Sequence, residues 1–109
     1  MEIGVRQYKG VNILSVAGDI DMYSSPALRK ALLELVGRKV PLVVVDFRGV
    51  SYIDSSGIAT FVEGLKGVKA YGGELKFAGI PQRIGEIFSF SKLDRVFPIY
   101  GSIEDAVGG

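Results

Sequence analysis

Ile3 and Val5, and then Val11, Ile13, Leu14 and Val16, alternate with polar or small residues on either side of Tyr8-Lys9-Gly10. A period of two predicts two strands joined by a tight turn, so the chain opens with a hairpin. After Gly18-Asp19-Ile20-Asp21 comes Ser24-Ser25-Pro26, a capping serine followed by proline at the first helical position, where its missing N–H costs nothing. Leu28, Ala31, Leu32, Leu35 and Val36 then recur at three- and four-residue spacing, which predicts a helix ending at Gly37. Val40 to Phe47 is an apolar run interrupted only near its end by Asp46, the pattern of a central strand covered on both faces. Arg48 to Ile53 reads as a connecting segment.

Asp54-Ser55-Ser56-Gly57 leads into a second helical stripe through Ile58, Phe61, Val62, Leu65 and Val68, which Gly72-Gly73 stops. Glu74 to Ala78 alternates as a further strand, and Pro81 opens a short helix carrying Ile84, Ile87 and Phe88. Val96-Phe97-Pro98-Ile99-Tyr100 suits an edge strand, where proline is tolerated. Ser102, with Asp105 three residues on, marks a last short helix. The expected fold is α/β: a mixed sheet of about five strands with about four helices, the hairpin first and then strands joined by right-handed crossovers. At 109 residues the chain, 1–109, is expected to be one domain.

Composition narrows the chemistry. Cysteine and histidine are both absent, which removes disulfides, Cys/His zinc sites and every catalytic arrangement with a histidine base. Thirteen basic residues against twelve acidic ones leave a net charge of +1 without a basic block, so nucleic acid is not an expected partner. No apolar run approaches the ~20 residues of a membrane-spanning helix, and no secretory pattern opens the chain. A cytoplasmic protein is expected.

The candidate site is Asp54-Ser55-Ser56-Gly57, two hydroxyls and a glycine where an extended segment meets a helix. A helix start presents unpaired N–H groups and the positive end of the dipole, surroundings that suit a phosphoserine. The plain alternative is that Ser55 caps the helix while Asp54 supplies a favourable charge. Asp19 and Asp21 stand two apart, but the loop lacks the further oxygen ligands of a calcium site and no sugar cleft is evident. Phe88, Phe90, Leu93 and Phe97 are expected to pack in the core rather than form a docking patch, and Arg48 and Arg83 to be solvated surface residues.

Ser51-Tyr52-Ile53-Asp54-Ser55-Ser56-Gly57-Ile58, placed directly after Val43-Val44-Val45-Asp46-Phe47, resembles the signature of the anti-sigma factor antagonists, members of the STAS domain family. Gly18-Asp19-Ile20-Asp21 is similar to that family's turn before the first helix, and Gly72-Gly73-Glu74-Leu75 to its turn into the fourth strand. Ile84-Gly85-Glu86-Ile87-Phe88 to Leu93 likewise falls where the family has a helix and a short turn, so the resemblance covers nearly the whole chain.

The resemblance implies a binding switch rather than an enzyme. In that family the serine after the aspartate is the phosphoacceptor, here Ser55, and an anti-sigma factor with serine kinase activity modifies it. That partner would bind the ATP and magnesium, this chain needing no cofactor, and a serine phosphatase usually reverses the mark. The unmodified antagonist binds the anti-sigma factor and frees the sigma factor; about two added negative charges beside Asp54 would switch docking off. The resemblance also implies that Asp21, Ser24, Ser25, Asp54, Ser56 and Gly57 line the surface that meets the partner, although Asp and Ser equally serve as plain turn residues. The alternative within the family is a stand-alone module sensing a nucleotide or other small ligand in a larger assembly. A small hydrolase is remote without histidine or cysteine.

Overall fold

The hairpin turn sets the first register. In the computed structural model, which describes residues 1–109, Lys9 and Gly10 both have left-handed φ, 51° and 78°. Two such residues make the turn whose twist matches that of the flanking strands. β1 (Glu2–Tyr8) therefore pairs antiparallel with β2 (Val11–Ile20) without a break, from Tyr8↔Val11 to Glu2↔Ala17.

α1 (Ser25–Gly37) begins one residue earlier than the proline suggested. The backbone carbonyl of Ser24 accepts from Ala27 and Leu28, while no serine hydroxyl caps the helix, because both hydroxyls are drawn into the loop before it. Leu28, Leu32 and Leu35 form the buried stripe that periodicity predicts.

The largest departure from expectation is β3, which runs from Leu42 to Ile53. The segment read as a connection is strand, because β2 also continues to Ile20 and offers a parallel partner all the way to Ile20↔Ile53. Two irregularities in that ladder, at Ser15/Ala17 and Gly18/Asp19, hide the extension from any strict alternation. Gly49 sits at the first of them. A Cβ there would lie 2.8 Å from Ala17 Cβ, so the two strands approach this closely only with a glycine.

After α2 (Ser55–Lys69), β4 (Glu74–Ala78) adds to β3, α3 (Gln82–Phe90) and a 3-10 turn (Leu93–Arg95) follow, β5 (Ile99–Tyr100) closes the sheet, and α4 (Ile103–Gly108) ends the chain. Strand order is β1-β2-β3-β4-β5, with only the β1–β2 pair antiparallel, so β3 is central as expected. Ser102 Oγ accepts from Asp105 N at 3.1 Å and caps α4 as its spacing predicts.

One face of the sheet carries the main core. Phe47, Phe61, Phe77, Phe88 and Phe97 are fully buried there, with Phe77 stacked on Phe97 at 4.6 Å. Phe90 is an exception to the expected aromatic core: it is 93 % exposed. At about 100° per residue it lies roughly 200° around the helix from Phe88, hence on the opposite side. The predicted edge strand shortens to two residues because Phe97 turns into that core, leaving the Pro98 carbonyl to accept from Phe77 N.

α4 covers part of the second face, which is why β4 is buried on both sides instead of alternating. Lys76 lies beneath it, donating to the Ala106 carbonyl at 3.1 Å with its ammonium 5.0 Å from the Tyr100 ring. On the same face Arg48 is at the surface as expected, with 66 % of its side chain exposed, yet it has a partner. Its guanidinium pairs bidentately with the buried Asp46, at 3.0 and 2.8 Å, and Arg6 adds a longer contact at 3.9 Å. Burial pushes the Asp46 carboxyl up, but the Arg48 hydrogen bonds and the two positive charges outweigh it and hold the group below its ordinary value.

α1 and α2 meet where Gly64 admits Leu32: a Cβ at Gly64 would lie 2.4 Å from Leu32 Cδ2 and 2.9 Å from its Cγ. Leu32 is fully buried and has nowhere to move. Gly64→Val is therefore expected to cost about 2 kcal/mol, as overpacking a filled core does. Gly85→Ala, whose methyl would meet only Ile80 Cγ2 at 3.7 Å, should gain up to about 1 kcal/mol from helix propensity. Urea unfolding of the two variants checks both signs.

Candidate functional site

β2 and β3 run parallel and end side by side, and the Asp54 N–H donates to the Ile20 carbonyl at 3.0 Å to hold the two ends level. The chain segments that leave these ends, Asp21–Ser24 and Asp54–Ser55, share one rim of the sheet, the position where α/β folds place their sites.

Asp54 is the cap of α2. Its extended backbone lets Oδ1 accept from the backbone N–H of Ser56 at 2.9 Å and of Gly57 at 3.3 Å, and from the Ser56 hydroxyl at 2.5 Å. Its carbonyl accepts from Ile58 N. The Ser56 hydroxyl above all, opposed by partial desolvation and then reinforced by the N–H groups of Gly57, Ser56 and Met22, holds the Asp54 carboxyl below the usual carboxylate value. The cap that the plain reading gave to Ser55 thus belongs to its neighbour.

That transfer separates the two serines. Ser55 is the first residue of α2, exposed, and its hydroxyl makes no hydrogen bond within the chain. Ser56 is half-buried: it donates to Asp54 and lies 3.0 Å from Ser25 Oγ, which in turn is 2.7 Å from the Asp21 carbonyl. Two hydroxyl protons serve these three contacts. The carboxylate takes the Ser56 proton, the stronger charge-assisted bond, so the Ser25 proton is left to choose between the Asp21 carbonyl and Ser56 Oγ.

Asp21 closes its own loop. Its Oδ1 accepts from the backbone N–H of Tyr23 at 2.9 Å and of Ser24 at 3.0 Å, the side-chain-to-backbone turn that aspartate favours. Ser24 Oγ accepts from Asp21 N and donates to the Asp19 carbonyl, each at 2.9 Å. Asp19 is drawn in from the other strand, where Ser51 Oγ donates to its Oδ1 at 3.0 Å. Arg83 reaches the Ser51 carbonyl at 3.0 Å and so is tethered rather than free. Gly57 is buried, and a Cβ on it would lie 2.6 Å from Ile20 Cγ2 and 2.9 Å from Ile53 Cγ1. Its contribution is to let the start of α2 settle on the two strand ends.

All seven positions singled out in the sequence therefore gather on one rim, with Asp21, Ser24, Ser25, Asp54 and Ser56 hydrogen-bonded to their surroundings and Ser55 left free. Sequence reasoning missed the apolar flank. Met22 and Tyr23 are 67 % and 88 % exposed in the loop beside Asp21. Two large apolar residues in an otherwise polar loop were the available signal. Tyr52, Ile87 and Phe90 are exposed too and line a common depression along β3 and α3.

Comparison with known proteins adds the following. The sequence pattern described as STAS domain matches residues 2–106. The anti-sigma-B factor antagonist of Bacillus subtilis (strain 168) is 33 % identical over 107 residues, 98 % of this chain and 97 % of that protein. An anti-sigma factor antagonist from Mycobacterium paratuberculosis superposes with a TM-score of 0.84 at 26 % identity, covering 98 % of this chain and 91 % of that one. The Bacillus cell fate determinant SpoIIAA, solved in a phosphorylated form, has the same fold, with a TM-score of 0.76 at 16 % identity over 98 % of this chain and 97 % of that one.

Asp54→Asn is expected to destabilise the protein at neutral pH, because the charge that the helix start and Ser56 favour is gone. A carboxyl with a depressed folded pKa stabilises fully above its unfolded value, about 3.9, and the benefit is lost as pH falls from there through the folded value. The urea midpoints of wild type and Asp54→Asn should therefore converge on acidification. A gap that stays constant into strong acid would contradict the capping role.

Proposed function

The chain belongs to the STAS domain family, with anti-sigma factor antagonists among its relatives, and on that premise we propose that it is an anti-sigma factor antagonist switched by phosphorylation of Ser55. The observation that carries this reading is the contrast between the two serines: Ser55 offers an exposed hydroxyl with no internal partner, while Ser56 is tied to Asp54 and Ser25. An incoming kinase needs a hydroxyl it can reach and orient, and only the first meets that need. SpoIIAA, which shares the fold, is known in a phosphorylated form.

In the unmodified state the rim formed by Asp21, Ser24, Ser25, Asp54, Ser56 and Gly57 is the surface offered to an anti-sigma factor with serine kinase activity, and docking there releases the sigma factor. Gly57 and Asp54 act through shape, fixing the start of α2 so that Ser55 projects outward. Phosphorylation adds about two negative charges. The first-turn N–H groups of Ser56 and Gly57 are already occupied by Asp54, and that of Ile58 by the Asp54 carbonyl. The new charge is thus poorly neutralised from within, and its repulsion of the adjacent carboxylate and of an acidic or nucleotide-bearing partner turns binding off. Asp54 is a positioning residue, since a carboxyl with a depressed pKa is a weak base. This chain acts as substrate and ligand in the cytoplasm; the kinase binds the ATP and magnesium, and a serine phosphatase resets the switch.

Incubation with the cognate anti-sigma kinase, magnesium and ATP is expected to add one phosphate, located on Ser55 by peptide mass spectrometry. Ser55→Ala should abolish the label and Ser56→Ala should keep it; label found on Ser56 would overturn the assignment. Ser55→Asp should weaken binding to the nucleotide-bound kinase at least about tenfold, roughly 1.4 kcal/mol, with an unchanged circular dichroism spectrum. Equal affinity by calorimetry would refute the electrostatic switch.

A further inference from the structure

The two edges of the sheet are treated very differently. β5 is two residues long and follows Pro98, so that edge offers almost nothing to pair with. β1 is seven residues long, pairs with β2 without a bulge, and contains neither proline nor lysine between Glu2 and Tyr8. Its outer side is a long regular row of backbone donors and acceptors, the kind of edge that protein chains otherwise shorten, bend or charge.

Which residues own that row follows from the turn. In a two-residue hairpin the closing pair, Tyr8↔Val11, exchanges both backbone hydrogen bonds, and alternation then assigns the same to Arg6↔Ile13, Gly4↔Ser15 and Glu2↔Ala17. The N–H and C=O groups of Ile3, Val5 and Gln7 consequently point away from β2. On the side chains the strand is divided likewise: Glu2, Gly4 and Arg6 share the face where Arg6 approaches Asp46, whereas Ile3 packs on the main core and Val5, on the same face, is 49 % exposed.

This sequence is complementary to itself about Gly4. We propose that β1 pairs antiparallel with β1 of a second copy of this chain, two-fold symmetric at Gly4, to join the two sheets edge to edge. In that register Ile3 faces Val5 of the second copy and Val5 faces Ile3, both being residues whose backbone groups point outward, so the ladder closes with good geometry. The exposed Val5 gains apolar cover from Ile3 across the junction. On the other face Glu2 stands opposite Arg6 and Arg6 opposite Glu2, giving two reciprocal ion pairs; Asp46 retains its closer partner Arg48 when Arg6 swings outward. The alternative centre at Val5 would put Val5 opposite itself but Ile3 opposite Gln7, Glu2 opposite Tyr8 and Arg6 opposite Gly4, so both ion pairs and the apolar partner of Ile3 would be lost.

Gly4 itself supports the axis. It has no positive φ, and a Cβ on it would meet nothing within 4 Å, so the isolated chain has no use for a glycine in mid-strand, where it weakens the strand. At the two-fold it would face its own copy in a non-hydrogen-bonded pair, where Cα atoms come within about 4.5 Å. Such an isologous contact closes on itself and stops at two chains. None of the residues of the serine rim lies on β1, so each copy keeps its own Ser55 available.

The test exploits the absence of cysteine. Gly4→Cys brings two thiols to a separation a disulfide can span, about 4.4–6.8 Å between Cα atoms, and mild oxidation should convert it to a covalent dimer. Gly101→Cys, at an equally open glycine far along the chain, should form no covalent dimer under the same conditions. Sedimentation velocity of the unmodified protein should show the mass doubling from low to high micromolar concentration. Val5→Pro, which deletes an outward N–H and leaves the β1–β2 ladder intact, should abolish this without loss of folded signal. Glu2→Arg and Arg6→Glu should each weaken association, and the double variant should restore it. A protein monomeric throughout, a dimer indifferent to Val5→Pro, or no rescue by the double variant would overturn the proposal.

Discussion

A single carboxylate organises the rim on which the proposed function rests. Asp54 stands at the point where β3 ends and α2 begins, its N–H bonded to the Ile20 carbonyl and its side chain to the first turn of the helix. The first contact ties β3 to β2, the second fixes the direction in which α2 departs, and Gly57 removes the one side-chain atom that would keep the helix off Ile20 and Ile53. With those three constraints met, the orientation of Ser55 follows: it is the first helical residue, on the outside, with its own cap duty taken by its neighbour.

Capping by Asp54 also explains how two adjacent serines differ. Ser56 falls within reach of the cap and of Ser25 and is enrolled in a short hydroxyl chain, while Ser55 points past both. Because the carboxylate has claimed the N–H groups of Ser56 and Gly57, and the Asp54 carbonyl that of Ile58, a phosphate on Ser55 would meet a negative neighbour with these three donors engaged. The same arrangement that stabilises the resting fold would therefore sharpen the electrostatic contrast that the proposed phosphorylation introduces.

The opposite face of the sheet follows a separate logic. α4 is too short to cover it, and the chain instead places charges there with partners supplied: Asp46 with Arg48 and Arg6, Lys76 with the Ala106 carbonyl and the Tyr100 ring. Buried charges are tolerable when hydrogen-bonded and costly when not. This face leaves β1 as the one extended, regular boundary of the molecule, and its residues are arranged so that a second copy completes them.

The sequence by itself determined the order of elements, the hairpin, the apolar stripes of α1 and α2 and the central place of β3, because each is a matter of local periodicity, turn chemistry or a short motif, whereas the grouping of the seven rim residues on one surface came only from the family resemblance. It did not reveal that Arg48 to Ile53 is strand, since that depends on β2 supplying a partner across two ladder irregularities, nor that Phe90 faces outward while Phe88 and Phe97 face inward. Arg48 is exposed as its sequence context suggests, but its pairing was not legible, because its partner Asp46 is buried only by the sheet and its coverings. The choice between a capping Ser55 and a free one was likewise beyond local reading: Asp54 and Ser55 are both good caps, and the geometry of β3 arriving beside Ile20 decided between them. Local pattern fixes what each segment prefers, and only packing between distant segments decides which of two acceptable local bonds is made.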